Sequence, residues 1–137
     1  MNNVTSTPDS QLSAQSLEAS LTAADLRRSI TWYRDVLGFA VDREFSRDDQ
    51  LFAASLRAGA VRILLTQDDG KKGLDRKKGE GFSLQITTAQ DIDAIAARAT
   101  QAGVRLETEP AEMRGARFFR LRDPDGFLLV FSSPRGA

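Results

Sequence analysis

Two stretches of the chain, residues 17–22 and 82–87, alternate strictly between apolar and polar side chains. A period of two predicts a strand with one buried face. Each stretch is followed by apolar residues at helical spacing: Leu26, Ile30, Tyr33 and Leu37 after the first, and Ile92, Ile95, Ala96 and Ala99 after the second. Such spacing predicts amphipathic helices, and Gly38 and Gly103 are the expected C-terminal stops.

Three further strands are predicted after each helix. They cover residues 39–45, 50–57 and 60–66 in the first half, and residues 104–108, 116–122 and 127–132 in the second. The last two strands are joined by Asp123-Pro124-Asp125-Gly126, a sequence typical of a tight turn. The chain therefore contains two copies of a strand–helix–strand–strand–strand unit, each of about fifty residues.

The repeat predicts an α+β fold with one domain at residues 16–137, preceded by a disordered polar tail at residues 1–15. Module one covers residues 16–67, a glycine-rich charged linker covers 68–81, and module two covers 82–133. Neither module can close a sheet alone. We therefore expect the modules to pair into one curved mixed sheet with the helices on its outer, convex side.

The composition excludes several classes of function. Lys plus Arg and Asp plus Glu both number 19, so the basic excess typical of a nucleic-acid-binding protein is missing. No apolar stretch approaches the ~20 residues that cross a bilayer, and the polar N-terminus does not resemble a signal peptide. We therefore expect no nucleic-acid partner, no membrane association and a cytoplasmic location.

The sequence contains no cysteine and no histidine. Thiolate and imidazole are the usual ligands of transition metals, and histidine is the usual general base near neutral pH. Any chemistry must therefore use carboxylates, Lys, Arg, hydroxyls or Tyr33, whose place on the helical stripe indicates a core residue.

Two segments resemble a known family. LTAADLRRSITWYRDVLGFAV (residues 21–41) and FRLRDPDGFLLVF (residues 119–131) are similar to the first-module signature and the last hairpin of the glyoxalase/bleomycin-resistance/dioxygenase (vicinal oxygen chelate) superfamily. The resemblance implies two βαβββ modules, an eight-stranded cup and commonly a homodimer. Family members include lyases, isomerases, extradiol dioxygenases, thiol transferases that inactivate fosfomycin and metal-free proteins that sequester antibiotics.

In many members the cup holds a divalent metal, bound by His, Gln or Glu from the first and last strands of each module. The resemblance places these ligand positions at Glu18, Ser83 (or Leu84), Ile63 and Val130. Only Glu18 carries a metal-binding side chain, whereas hard cations need several oxygen ligands. We therefore predict no metal and no cofactor.

The predicted ligand site is the cup, with apolar walls and a few polar groups, as is typical of small-molecule pockets. Its predicted residues are Glu18, Ser20, Ile63, Leu65, Ser83, Gln85, Phe119, Leu128 and Val130. Glu18 is the candidate catalytic base; the alternative is a charge at the cup rim or one paired with an arginine. Phe118 and Phe119 must point to opposite sides of a strand, and we favour Phe119 as the aromatic wall.

Two basic groups have alternative interpretations. Arg114, Arg117, Arg120 and Arg122 could bind an anionic ligand, but a solvated edge strand that discourages aggregation is the favoured interpretation. The linker cations are interpreted as a solvated loop rather than a mobile lid over the cup: Lys71, Lys72, Arg76, Lys77 and Lys78.

The first hypothesis is a metal-independent protein that binds a small organic molecule, as in drug or metabolite sequestration, and forms a homodimer. One alternative is a glyoxalase-like lyase or isomerase, in which Glu18 is the base or the sole retained metal ligand. The other is a scaffold or interaction protein without a ligand. A metal-dependent dioxygenase is disfavoured, because the chain has no histidine.

Overall fold

The computed structural model describes residues 10–134. The same order of elements occurs twice, as a strand, a helix and three more strands. The first module contains β1 (Ala19–Ala23), α1 (Leu26–Trp32) extended by a π-helical turn (Tyr33–Leu37), β2 (Ala40–Arg47), β3 (Gln50–Ala58) and β4 (Val61–Gln67). The second module contains β5 (Ser83–Thr87), α2 (Ile92–Gln101), β6 (Thr108–Met113), β7 (Ala116–Arg122) and β8 (Leu128–Pro134).

The strands of residues 10–134 form two four-stranded mixed sheets, with the orders β1-β4-β3-β2 and β5-β8-β7-β6. In each sheet the first and last strands of the module pair in parallel, and the remaining pairs are antiparallel. The predicted α+β fold built from two βαβββ modules is confirmed. Hydrogen bonding divides the eight strands into two sheets rather than one continuous sheet.

Local sequence signals explain both helices. The Asp25 carboxylate accepts a hydrogen bond from the backbone N–H of Arg28, and Asp91 caps α2 in the same way. Side chains of this type satisfy backbone donors that have no partner within the helix. Gly38 ends the π-helical turn with φ 86°, a left-handed conformation that glycine adopts without a steric penalty.

The core lies between each sheet and its helix. In the first module Ile63 and Leu65 of β4 belong to the same buried cluster as Ile30 and Tyr33 of the helical segment. In the second module the corresponding buried strand residues are Phe119, Leu121, Leu129 and Phe131. One face of each sheet is therefore covered by a helix, and the opposite face is here called the open face.

Side chains alternate along a strand, so the pairing register fixes the residues of each open face. The open face of the first sheet carries Ser20, Thr22, Ala53, Ser55, Arg57, Arg62, Leu64 and Thr66. The open face of the second sheet carries Ser83, Gln85, Thr87, Phe118, Arg120, Arg122, Leu128, Val130 and Ser132.

Two of the predicted strands begin two or more residues too early. The strand expected at residues 104–108 begins only at Thr108, because the preceding segment turns back from α2 and its Val104 N–H donates to the Ala99 carbonyl. β1 begins at Ala19, where its parallel pairing with β4 starts, so Leu17 is 95% exposed.

The predicted tail falls partly outside the described residues, which begin at residue 10. Residues 12–18 are exposed and have no regular secondary structure. The predicted domain boundaries stay predictions. Across residues 10–134, the helices are too short or too polar to span a bilayer.

Candidate functional site

The register of the second sheet brings four predicted site residues together. Ser83 of β5 pairs with Leu128 of β8, and Gln85 pairs with Val130 one row further along. The β7 partners of the two β8 residues are arginines, Arg122 beside Leu128 and Arg120 beside Val130. Two rows of side chains, each with one apolar residue between polar ones, therefore cross this open face.

The predicted orientation of Ile63 and Leu65 is wrong. These residues pair with Ala19 and Leu21 of β1, are 2% and 1% exposed, and belong to the core. Leu64 lies on the open face instead, beside Ser20. A shift of one residue moves a strand side chain to the opposite face of the sheet.

The predicted aromatic wall is also on the wrong side. Phe119 is completely buried and stacks on Phe131 with ring centroids 5.4 Å apart. Phe118 occupies the open face, where the guanidinium carbon of Arg120 lies 5.5 Å from its ring centroid. The sequence contains a signal for this arrangement. Residues two apart on a strand share a face, so Phe119 shares one with the apolar Leu121, and Phe118 shares the other with Arg120 and Arg122.

Glu18 lies exposed in the segment before β1, and Ser20 is exposed on the open face of the first sheet. The structure therefore places Glu18 outside the strands that carry the other predicted residues.

The residues at the family's metal positions do not fit a divalent ion. Val130 is an apolar side chain paired with Gln85, Ile63 lies in the core, and Ser83 offers one neutral hydroxyl. Within residues 10–134, His, Cys, Asp and Glu side chains form no group of three that could hold a metal ion. A lone carboxylate at Glu18 falls short of the several oxygen ligands that hard cations need.

A cleft of about 1190 Å³ adjoins this open face. Its lining includes residues 74–82, here called the strap, and the β7–β8 turn at residues 123–126, which accepts a backbone hydrogen bond from the strap (Lys78 N–H to the Asp125 carbonyl, 3.1 Å). Ser83, Leu128 and Arg122, which form one row of the open face, also line the cleft. The cleft and the open face are therefore one continuous surface.

A buried ion pair holds the strap in place. The Lys78 ammonium lies 2.7 Å from the Asp68 carboxylate and 3.9 Å from Asp125, and it donates to the Thr22 carbonyl at 3.2 Å. The hydrogen bond from Lys78 and one from the Gly70 N–H lower the pKa of Asp68 to about 2. The prediction of a solvated loop is therefore wrong for Lys78, whose side chain is only 3% exposed.

The β7–β8 turn, which also lines the cleft, is fixed to the first module. Asp125 accepts hydrogen bonds from the Ala24 N–H at 2.8 Å and the Ser29 hydroxyl at 3.3 Å. Asp123 accepts one from the Tyr33 hydroxyl at 2.8 Å. Burial raises the pKa of both Asp123 and Tyr33. The predicted core role of Tyr33 is confirmed, and both walls of the cleft are fixed by buried polar contacts.

The surface combines apolar area with hydrogen-bond donors. The half-buried Leu128 and Phe118 supply most of the apolar part, because Val130 is only 7% exposed. The arginines, Ser83 and Gln85 supply polar groups, with Gln85 Nε2 donating to Ser83 Oγ at 2.9 Å. Ligand pockets typically combine predominantly apolar walls with a few oriented polar groups. The arrangement suits binding of a small organic molecule.

The family model of the Glyoxalase/Bleomycin resistance protein/Dioxygenase superfamily matches residues 15–131, and the chain belongs to this superfamily. Among curated relatives, virulence protein STM3117 of Salmonella typhimurium is 30% identical over 119 residues, which are 82% of this chain and 78% of the relative. Glutathione transferase FosA of Serratia marcescens is 26% identical over 110 residues, which are 80% of this chain and 73% of the relative.

Solved structures have the same fold. A glyoxylase/bleomycin resistance protein/dioxygenase domain from Frankia sp. EAN1pec is 25% identical with a TM-score of 0.73, covering 93% of this chain and 96% of that one. TnmS3, an antibiotic binding protein from Streptomyces sp. CB03234, is 18% identical with a TM-score of 0.70, covering 90% of this chain and 98% of that one.

Proposed function

We propose that this protein binds a small organic molecule without a metal ion, in the cleft and on the adjoining open face of the second sheet. The observation that carries the proposal is the shared row of Ser83, Leu128 and Arg122, which belongs to both surfaces. A ligand there would contact apolar side chains and hydrogen-bond donors together.

The metal-independent part of the proposal is supported by the side chains at the family's ligand positions. Val130 and Ile63 are aliphatic, and the Ser83 hydroxyl is a weak neutral ligand. TnmS3, an antibiotic binding protein, supports drug or metabolite sequestration as the physiological role, whereas FosA, a glutathione transferase, supports an enzymatic alternative. The homodimer implied by the family stays a prediction, and light scattering of the purified protein tests it.

A thermal-shift screen of small organic compounds in excess EDTA tests the proposal. A ligand that binds only the folded state raises the free energy of unfolding by about 2.7 kcal/mol at a concentration one hundred times its Kd. We expect compounds that raise the unfolding midpoint with the chelator present, because no side chain in the proposed site depends on a metal.

Two variants locate the site of each hit. Ser83→Trp places a bulky ring where the cleft meets the open face, and we expect it to weaken binding by about tenfold or more. Ala89→Trp introduces the same ring at an exposed position after β5, away from the residues that line the cleft, and is expected to bind as the wild type does. A screen without hits, or hits that Ser83→Trp leaves unchanged, would contradict the proposal.

A further inference from the structure

We propose that the open face of the second sheet recognises an anionic head group, a carboxylate or a related oxyanion, through Arg120. This inference rests on the proposed function, because it names the chemical class of the molecule that binds at the same surface.

The arginines near and along β7 differ in their partners. Arg117 projects to the helix-covered side, where its Nε and Nη2 both donate to Asp93 at 2.8 Å. Arg122 donates to Glu107 at 3.2 Å and to the Gly126 carbonyl at 2.9 Å. β7 lies between β8 and β6, so the favoured interpretation of these arginines as a solvated edge strand is wrong.

Arg120 has no such partner within residues 10–134. None of the salt bridges there includes Arg120, and its Nε is buried without a hydrogen-bond partner. The guanidinium instead lies over the ring of Phe118. A buried charged donor without an acceptor is unfavourable, and a shift of the half-buried Arg120 side chain would let an incoming oxyanion supply the acceptor.

The surroundings of Arg120 suit an anion attached to an apolar body. Val130 and Gln85 share its row, and the middle residue of the next row is Leu128, which lines the cleft. The Ser83 hydroxyl accepts the hydrogen bond from Gln85, so its own proton remains free to donate to a ligand. A carboxylate or phosphonate at Arg120 would therefore extend its organic part over Leu128 toward the cleft.

Three small probes with the same phenyl body test the anion class: benzoate, its neutral planar analogue benzamide, and the tetrahedral phenylphosphonate. Titration calorimetry at constant ionic strength gives the Kd of each. We expect at least one anion to bind about tenfold or more tightly than benzamide, because a charge-assisted bidentate hydrogen bond is available only to the oxyanions. The two anions separate a carboxylate preference from a phosphonate preference.

Variants of the same strand complete the test. Arg120→Gln should remove the advantage of the anions over benzamide, and Arg120→Lys should keep part of it. Arg117→Gln, which removes a charge from the other side of β7, should bind the probes as the wild type does. The comparison of the two anions with benzamide uses the wild-type protein, so this part of the test does not depend on the folding of any variant.

The outcomes separate this inference from the proposed function. If benzamide binds as tightly as the anions, or if Arg120→Gln keeps their advantage, the anion class is wrong while small-molecule binding stands. If the anions fail to bind but neutral compounds are hits in the screen, the anion inference is overturned and the proposed function stands. If neither the probes nor the screened compounds bind, both proposals fail.

Discussion

Replacing Lys78 with alanine is expected to lower the midpoint of thermal unfolding by about 10 °C. The ammonium is the common cationic partner of two carboxylates, Asp68 and Asp125, whose side chains are only 5% and 3% exposed. Removing Lys78 leaves Asp125 without this cationic partner and leaves Asp68 with the more exposed Arg76, 3.4 Å away, so the buried carboxylates are poorly compensated. Lys78→Met keeps much of the apolar stem and should be destabilised as well, which separates the loss of charge from the loss of packing.

Lys77→Ala is the matched control for this experiment. Lys77 is the preceding residue of the strap and is exposed, so its removal should shift the midpoint by no more than about 2 °C. Differential scanning calorimetry of the three variants and the wild type measures these shifts. Equal midpoints for Lys78→Ala and Lys77→Ala would contradict the role assigned to the buried ion pair.

The same ion pair has an expected pH dependence. The pKa of Asp68 is about 2 in the folded protein, below its ordinary value of 3.8, chiefly because of the hydrogen bond from Lys78. A carboxylate with a lowered folded-state pKa stabilises the fold fully above its ordinary pKa and loses that contribution as the pH falls through the folded value. The stability difference between wild type and Lys78→Ala should therefore narrow from about pH 5 to about pH 2, as measured by urea unfolding.

Phe119→Ala is expected to reduce the free energy of unfolding by about 3–5 kcal/mol, as truncation of a buried phenylalanine typically does. The ring is fully buried and stacked on Phe131, so the substitution leaves a cavity in the core. Phe118→Ala, one residue earlier, removes a half-buried ring from the open face and should cost about 1 kcal/mol or less, near the value of its contact with Arg120.

The two phenylalanine variants should also differ in ligand binding. Phe118→Ala is expected to weaken the hits of the small-molecule screen, whereas Phe119→Ala should bind them normally at temperatures where it remains folded. Urea unfolding and calorimetric titration provide the two measurements. If Phe118→Ala and Phe119→Ala destabilise the protein equally, the assignment of the two rings to opposite faces of β7 is contradicted.

The sequence predicts the repeated βαβββ order well, because alternation and helical spacing are local properties. It fails where apolar residues are adjacent. Ile63, Leu64 and Leu65 form an unbroken apolar run, so polarity does not show which of them share a face. The adjacent Phe118 and Phe119 are ambiguous for the same reason. Their faces can be assigned only from the residues two positions further along, Arg120 and Leu121.

The polar contacts that hold the cleft walls could not be predicted from the sequence. Lys78 is one of five cations in a charged, glycine-rich segment, and nothing local distinguishes it from Lys77. Its burial depends on Asp68 and Asp125, which the fold brings to it from ten residues earlier and forty-seven residues later in the chain. Arg120 and Arg122 likewise differ only through contacts made by the fold, since Arg122 donates to Glu107 and to the Gly126 carbonyl.

Calorimetric titration of a confirmed ligand into metal-stripped protein tests the central claim most directly, with a second titration after adding Mn²⁺, Ni²⁺ or Zn²⁺. The predicted result is the same Kd, within about twofold, in both titrations. Binding that appears only with an added ion, and that Glu18→Ala abolishes, would contradict a metal-independent site on the second sheet.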